Sequence, residues 1–185
     1  MKTILSFMYQ FFKGAQTVGS FFPSTPILAS KIVKHIDFSS AKLIVEVGPG
    51  TGVFTRKILK KLSENAVFIA FELNEKFYNK LKIDIIDPRF VLINGSAEDL
   101  QTYLVQNGYL EVDYLISSIP LSNFKGKKIV TLLHSFRDLI GEKGTFIQFQ
   151  YSFNQKRLFH KMFSKVLMDF TQFNIPPAFI YVCKN

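Results

Sequence analysis

From about residue 43 onward, short runs of β-branched and aromatic residues alternate with stretches whose apolar positions recur at helical spacing. That alternation predicts βαβ units built around a largely parallel sheet. The predicted strands are Leu43–Val47, Ala66–Glu72, Phe90–Asn94, Val112–Ser117, Thr145–Tyr151, Leu167–Phe173 and Ala178–Cys183. Helices are predicted over Thr51–Leu62, Glu75–Lys82, Ala97–Gln106, Lys127–Ile140 and Gln155–Phe163. The last two strands are joined only by Asn174-Ile175-Pro176-Pro177, too short for the crossover that parallel pairing requires, so they should form an antiparallel hairpin. Two further helices, Thr3–Phe12 and Pro26–Ile36, precede the sheet, and Ile4, Leu5, Met8, Phe11 and Phe12 form one apolar stripe on the first. Such a stripe serves equally to cover a sheet or to touch a membrane. With no internal repeat, low-complexity tract or linker, one domain over 1–185 is expected, residues 1–38 forming a helical extension over its site.

Composition narrows the class. Hydrophobic residues make up 48% and charged residues 20% of the 185, ample for a core and unlike a disordered chain. Lysine and arginine exceed acidic residues by 23 − 14 = 9, which favours polyanionic partners, a nucleic acid or an anionic membrane surface. No run reaches the ~18 apolar residues needed to span a bilayer, and the N-terminus lacks an A-x-A-like cleavage site, so neither a membrane span nor a secretory signal is expected. The single cysteine, Cys183, allows no intrachain disulfide and agrees with a cytoplasmic location. His35, His134 and His160 fall in predicted helices, and no His/Cys/Asp cluster has metal-ligand spacing, so no metal is expected.

The run Glu46-Val47-Gly48-Pro49-Gly50-Thr51-Gly52 ends a buried strand and opens a helix, the place where open α/β sheets bind ligands. A dinucleotide fingerprint would need glycine at position 53, and Val53 breaks that spacing. The run instead resembles motif I of class I S-adenosylmethionine-dependent methyltransferases, E/D-x-G-x-G-x-G. That resemblance implies a Rossmann-like α/β fold, a seven-stranded sheet in the order 3-2-1-4-5-7-6, with S-adenosylmethionine as cofactor. It implies that Gly48, Pro49, Gly50 and Gly52 cradle the cofactor while Glu46 faces its cationic amino-acid end. Glu72, followed by Leu73, would then accept hydrogen bonds from the ribose hydroxyls. Ser96, with Ala97 beside it, stands where the family usually carries the aspartate that meets the adenine; a helix N-cap is the other reading of Ser96.

After the fourth strand the chain reads Ser117-Ser118-Ile119-Pro120-Leu121-Ser122-Asn123-Phe124. Adenine N6-methyltransferases carry an amide residue and an aromatic ring here, to clamp and stack the base; Ser118 and Leu121 stand in their places. The stretch resembles the S-G-L-P-L segment of bacterial phospholipid N-methyltransferases. The likeness extends through Gly14–Ser24, which contains Thr17 and Ser24, through Gln148-Phe149-Gln150-Tyr151, and through Asn174-x-Pro176-Pro177-Ala178. It implies N-methylation of phosphatidylethanolamine or a related aminolipid, with peripheral contact at the inner face of an anionic membrane. Tyr151, Ser118 and Pro120 would serve the acceptor, Ser117 and the N-terminal Thr17 and Ser24 the cofactor. Aromatic rings suit a growing ammonium through cation–π attraction, for which Tyr151 and Phe21 lead, followed by Phe22 and Phe124. The rival enzyme is an RNA adenine methyltransferase, to which the positive charge points, although the chain is too short for the usual separate RNA-binding domain. A cofactor-binding module without catalysis is the third reading.

Overall fold

The computed structural model describes residues 25–124, 126–151, 153–172 and 177–185. The predicted helix Thr3–Phe12, the segment bearing Thr17, Phe21, Phe22 and Ser24, and Ser152, Phe173 and Asn174–Pro176 lie outside the described residues. Seven strands form one sheet: β1 (Leu43–Val47), β2 (Val67–Glu72), β3 (Phe90–Asn94), β4 (Tyr114–Ser117), β5 (Thr145–Gln150), β6 (Lys165–Thr171) and β7 (Ala178–Lys184). Their order is β3-β2-β1-β4-β5-β7-β6. The first five are parallel, and β7 is antiparallel to both β5 and β6, as the short connection requires.

Period-two alternation sends successive side chains to opposite faces, and both faces are covered. On one, Ile44, Phe68, Ile116 and Ile147 pack against helices α1 (Pro26–Val33) and α2 (Val53–Leu59) through Leu28, Ile32, Phe54 and Ile58. Next in the chain, α3 (Glu75–Asp84) buries Leu81. On the other face, Val45, Ile69, Leu115 and Phe146 meet α4 (Leu100–Gln106), α5 (Lys127–Ile140) and α6 (Lys156–Met162), with Leu104, Phe136 and Phe159 at the contact. Phe136 and Phe146 are fully buried with ring centroids 5.4 Å apart, and each contributes about 1.5–3 kcal/mol by leaving water.

Boundaries shift where local chemistry intervenes. The helix predicted over Thr51–Leu62 spans only Val53–Leu59, because Gly52 holds φ 78° as its N-cap. The one predicted over Ala97–Gln106 divides into a 3-10 turn, Ala97–Asp99, and α4. β4 starts at Tyr114 rather than Val112, since the Asp113 carboxylate turns aside to accept the Lys42 and Leu43 N–H groups at 2.7 and 2.9 Å. β6 runs from Lys165, two residues before the expected start, because Lys165 and Val166 pair with Lys184 and Cys183.

The parallel strands all end at one edge, where their loops prolong the ladder. Gly48 N–H donates to the Phe71 carbonyl at 2.8 Å, Ser118 N–H to Val47 at 2.9 Å and Gly95 N–H to Glu72 at 3.2 Å. The loops after β1, β2, β3 and β4 are thereby fixed side by side at the carboxyl edge.

Candidate active site

Glu46 lies on the α2 face of β1 with no solvent exposure. Thr55 Oγ1 donates to Glu46 Oε2 at 2.7 Å, and Oε1 has no partner among the described residues. Burial dominates its titration, the Thr55 hydrogen bond offsets part, and the nearby Glu72 adds repulsion, so the carboxyl is pushed up to about 8. A buried carboxyl with one oxygen unsatisfied is poised for a cationic or hydrogen-bond-donating ligand.

Glu72 ends β2 on the same face, nearly buried, and both its oxygens brace backbone. Oε2 accepts the Gly50 N–H at 2.8 Å and Oε1 the Asn74 N–H at 2.7 Å. Burial raises its pKa, partly countered by the hydrogen bonds from Asn74, Gly50 and Leu73. The carboxylate therefore already grips the glycine loop, and each oxygen keeps a lone pair with which it could accept a further hydrogen bond.

Two glycines of this loop do different work. At Gly50, φ is 54° and a Cβ would meet nothing within 4 Å, so the backbone borders open space. At Gly52, a Cβ would sit 2.5 Å from Leu81 Cδ2 and 2.8 Å from Arg56 Nη1, so that glycine permits α2 to pack on α3. Leu73, immediately after Glu72, is 72% exposed, an apolar surface standing at the open edge. Ser96 does act as an N-cap: its Oγ accepts the Glu98 N–H at 3.2 Å, and Asp99 Oδ2 accepts the Ser96 N–H at 3.2 Å, with Ala97 nearly buried beneath.

On the acceptor side, Ser117 is buried at the end of β4, and Ser118 and Pro120 lead into a 3-10 turn, Leu121–Asn123. Leu121, at the position of the adenine-stacking ring, has no exposure and belongs to the core. Tyr151 follows β5 on the α2 face, its ring 5.6 Å from Phe149, which meets Phe54 edge-on at 5.5 Å. The structure thus gathers Glu46, the glycines, Glu72, Ser117, Ser118 and Tyr151 along one sheet edge, while Thr17 and Ser24 lie outside the described residues. A groove of about 310 Å³ lined by Glu98, Gln101, Lys127, Lys128, Thr131 and Ser135 shares no residue with the glycine loop.

Thr55 lies outside every motif in the sequence, and Gln148 lies in the matched Gln148–Tyr151 segment without a role assigned by it. Thr55 positions Glu46, and Gln148, fully buried, donates its amide to the carbonyls of Ile119 at 3.1 Å and Phe149 at 2.8 Å, fixing the acceptor loop. The available signal was polarity in the wrong place: β5 is buried at every position yet carries Thr145, Gln148 and Gln150. Among the described residues, no group of three His, Cys, Asp or Glu side chains could hold a metal, and no helix is long and apolar enough to cross a membrane.

S-adenosylmethionine presents an ammonium, a sulfonium, a ribose diol and an adenine. The unsatisfied Glu46 oxygen, the open space at Gly50, the Glu72 carboxylate and the exposed Leu73 could hold such groups. Comparison with known proteins agrees. In fold, the chain is similar to a protein assigned as an O-methyltransferase from Klebsiella pneumoniae, with a TM-score of 0.68, 14% identity, and coverage of 90% of this chain and 83% of that one. In sequence, it is 28% identical to an ornithine lipid N-methyltransferase from Singulisphaera acidiphila, over 100% of this chain and 97% of the relative. It is 32% identical to ribosomal RNA small subunit methyltransferase A of Ureaplasma urealyticum, but over 46% of this chain and only 30% of that relative. The family model for ribosomal RNA adenine dimethylase matches residues 12–166. The chain therefore belongs to the ribosomal RNA adenine dimethylase family and is a class I methyltransferase that uses S-adenosylmethionine as methyl donor.

Proposed function

We propose that the protein N-methylates the amine headgroup of an aminolipid, phosphatidylethanolamine or a related lipid, at the cytoplasmic face of a membrane. The observation that carries this reading is the acceptor loop. An adenine-binding loop needs an amide and an accessible ring, and here Ser118 supplies only a hydroxyl while Leu121 is sealed in the core. Near end-to-end similarity to an ornithine lipid N-methyltransferase supports the same acceptor class.

The bound cofactor supplies an electrophilic methyl carried on a sulfonium. The protein's part is to align and to desolvate. Glu46 would hold the donor's amino-acid end and Glu72 its ribose, and the Ser117–Asn123 loop, held by Gln148, presents the lipid amine in line with the methyl, which is where most of the rate enhancement should arise. The proton that the lipid amine must lose on methylation would leave to water or through the Tyr151 hydroxyl. Tyr151 also offers a ring face to the resulting ammonium.

With radiolabelled methyl donor, anionic vesicles containing phosphatidylethanolamine and ribosomal RNA in one reaction, label should partition into the lipid phase. Label in RNA with none in lipid would overturn the reading in favour of adenine methylation. That second reading is favoured by the family match and the net charge of +9.

A further inference from the structure

The carboxyl edge bears an apolar cluster that the site does not use. Phe170 of β6 and Phe179 of β7 are register partners with ring centroids 5.0 Å apart, and Phe153, at the start of the turn into α6, lies 3.8 Å from Phe179. The Lys156 N–H donates to the Phe153 carbonyl at 3.0 Å, so the turn holds this ring in place. Yet Phe153 is 50% exposed, and Phe170 and Met168, which share a face of the edge strand, are each 44% exposed. Aromatic rings left this open are uncommon on a surface without a partner.

Charge indicates the partner. From Lys143 to Met168 the chain contains five basic residues, Lys143, Lys156, Arg157, Lys161 and Lys165, and no acidic one. Lys156, Arg157 and Lys161 are exposed on α6, the helix that Phe153 precedes. The next acidic residue, Asp169, points to the opposite face and is bound by Lys34 at 2.6 Å and Lys31 at 3.5 Å. Lys165, which opens β6 about 20 Å of strand away from Thr171, and Lys143, which precedes β5, lie at the opposite edge of the sheet and do not belong to this surface.

We propose that Phe153, Met168 and Phe170, with Lys156 and Arg157, form the surface by which the protein docks on an anionic lipid bilayer. The proposal rests on the aminolipid reading, because a bilayer contact at the carboxyl edge puts headgroups beside the acceptor loop. Rings and a thioether enter the headgroup boundary while the basic side chains meet lipid phosphates. A second copy of this chain would set basic surface against basic surface. An RNA strand would gain nothing from Met168, which offers no stacking face.

The test uses the full chain in two variants, Phe153→Ser/Phe170→Ser and Lys156→Glu/Arg157→Glu, sedimented with phosphatidylcholine vesicles containing phosphatidylglycerol and no aminolipid. Each variant should lower the vesicle partition coefficient about tenfold, with S-adenosylmethionine affinity and melting temperature unchanged. Should the phenylalanine variant melt early, the charge variant, confined to exposed α6 side chains, decides. Vesicle binding equal to wild type in the folded variants overturns the proposal. So does wild-type protein that ignores vesicles but dimerises or binds RNA through these residues. Methylation of detergent-dispersed aminolipid is read in parallel: activity there with unaltered vesicle binding by both variants refutes the surface alone, whereas vesicle binding that both variants weaken, with no aminolipid methylated, refutes the acceptor assignment alone.

Discussion

At the scale of single residues, two carboxyl groups with different surroundings, Glu46 and Glu72, stand beside the glycine loop, and each role proposed for them can be tested separately. Glu72 is braced by backbone N–H groups, so Glu72→Ala removes the ribose acceptor and releases Gly50 together. Calorimetry should show S-adenosylmethionine binding weakened by about 2–4 kcal/mol. Tight NADH binding by wild-type protein that gives no heat with S-adenosylmethionine would contradict the assignment. Glu46 is the opposite case, nearly starved of partners. Its folded pKa, pushed from 4.5 to about 8, means that between those values the folded state holds a proton which the unfolded chain has lost. Stability without cofactor should therefore fall as pH rises from 5 towards 8, by on the order of a few kcal/mol, and level off above. Glu46→Gln should flatten that slope in denaturant melts; a wild-type slope that matches the variant's would show that Glu46 is charged in the free protein. The places of both carboxylates beside the glycine loop are legible in the sequence, and the roles proposed for them come through the family resemblance. The part of Thr55 is not legible there, since nothing in a helical pattern reveals that one hydroxyl turns inward to a buried acid.

At the scale of elements, the loops depend on what braces them from below. Gly50 borders open space and Gly52 a helix contact, so alanine should separate the two roles. Gly52→Ala should lower the melting temperature, by ~1–3 kcal/mol of clash and left-handed strain, whereas Gly50→Ala should cost more cofactor affinity than stability. Equal stability losses would mean that the open space at Gly50 is not the cofactor's bed. Gln148 braces the acceptor loop from β5, so Gln148→Leu should reduce kcat about tenfold or more with S-adenosylmethionine affinity maintained. A parallel loss of both would assign Gln148 to the core alone. β1, β3 and the α5 helix keep the bounds that the hydrophobic pattern predicts, β1 and α5 through their buried faces and β3 through its register with β2. The start of β4 and the division of the Ala97–Gln106 helix do not, because Asp113 and Ser96 spend their side chains on neighbouring backbone, a choice that apolar periodicity does not record.

At the scale of the whole molecule, strand alternation and the four-residue hairpin connection were enough to read a mostly parallel sheet closed by an antiparallel pair. The order β3-β2-β1-β4-β5-β7-β6 came through the family resemblance, because spacing along a chain does not say which neighbours strands choose. The exposed rings of Phe153 and Phe170 were also hidden in the sequence, since among 21 phenylalanines only three-dimensional packing distinguishes core from surface. With an excess of 9 positive charges, attraction to anionic vesicles should weaken steeply between about 0.05 and 0.5 M salt, as the Debye length shrinks, and salt-insensitive sedimentation would speak against an electrostatic part in docking. The central claim is that this edge delivers methyl groups to a lipid amine, and the most direct measurement is mass spectrometry of lipid extracts and ribosomal RNA from cells producing wild-type protein or Glu72→Ala. Mono-, di- or trimethylated aminolipid headgroups should accumulate with wild type and be absent with the variant; an unaltered lipid profile alongside newly methylated adenine in the RNA would contradict the account.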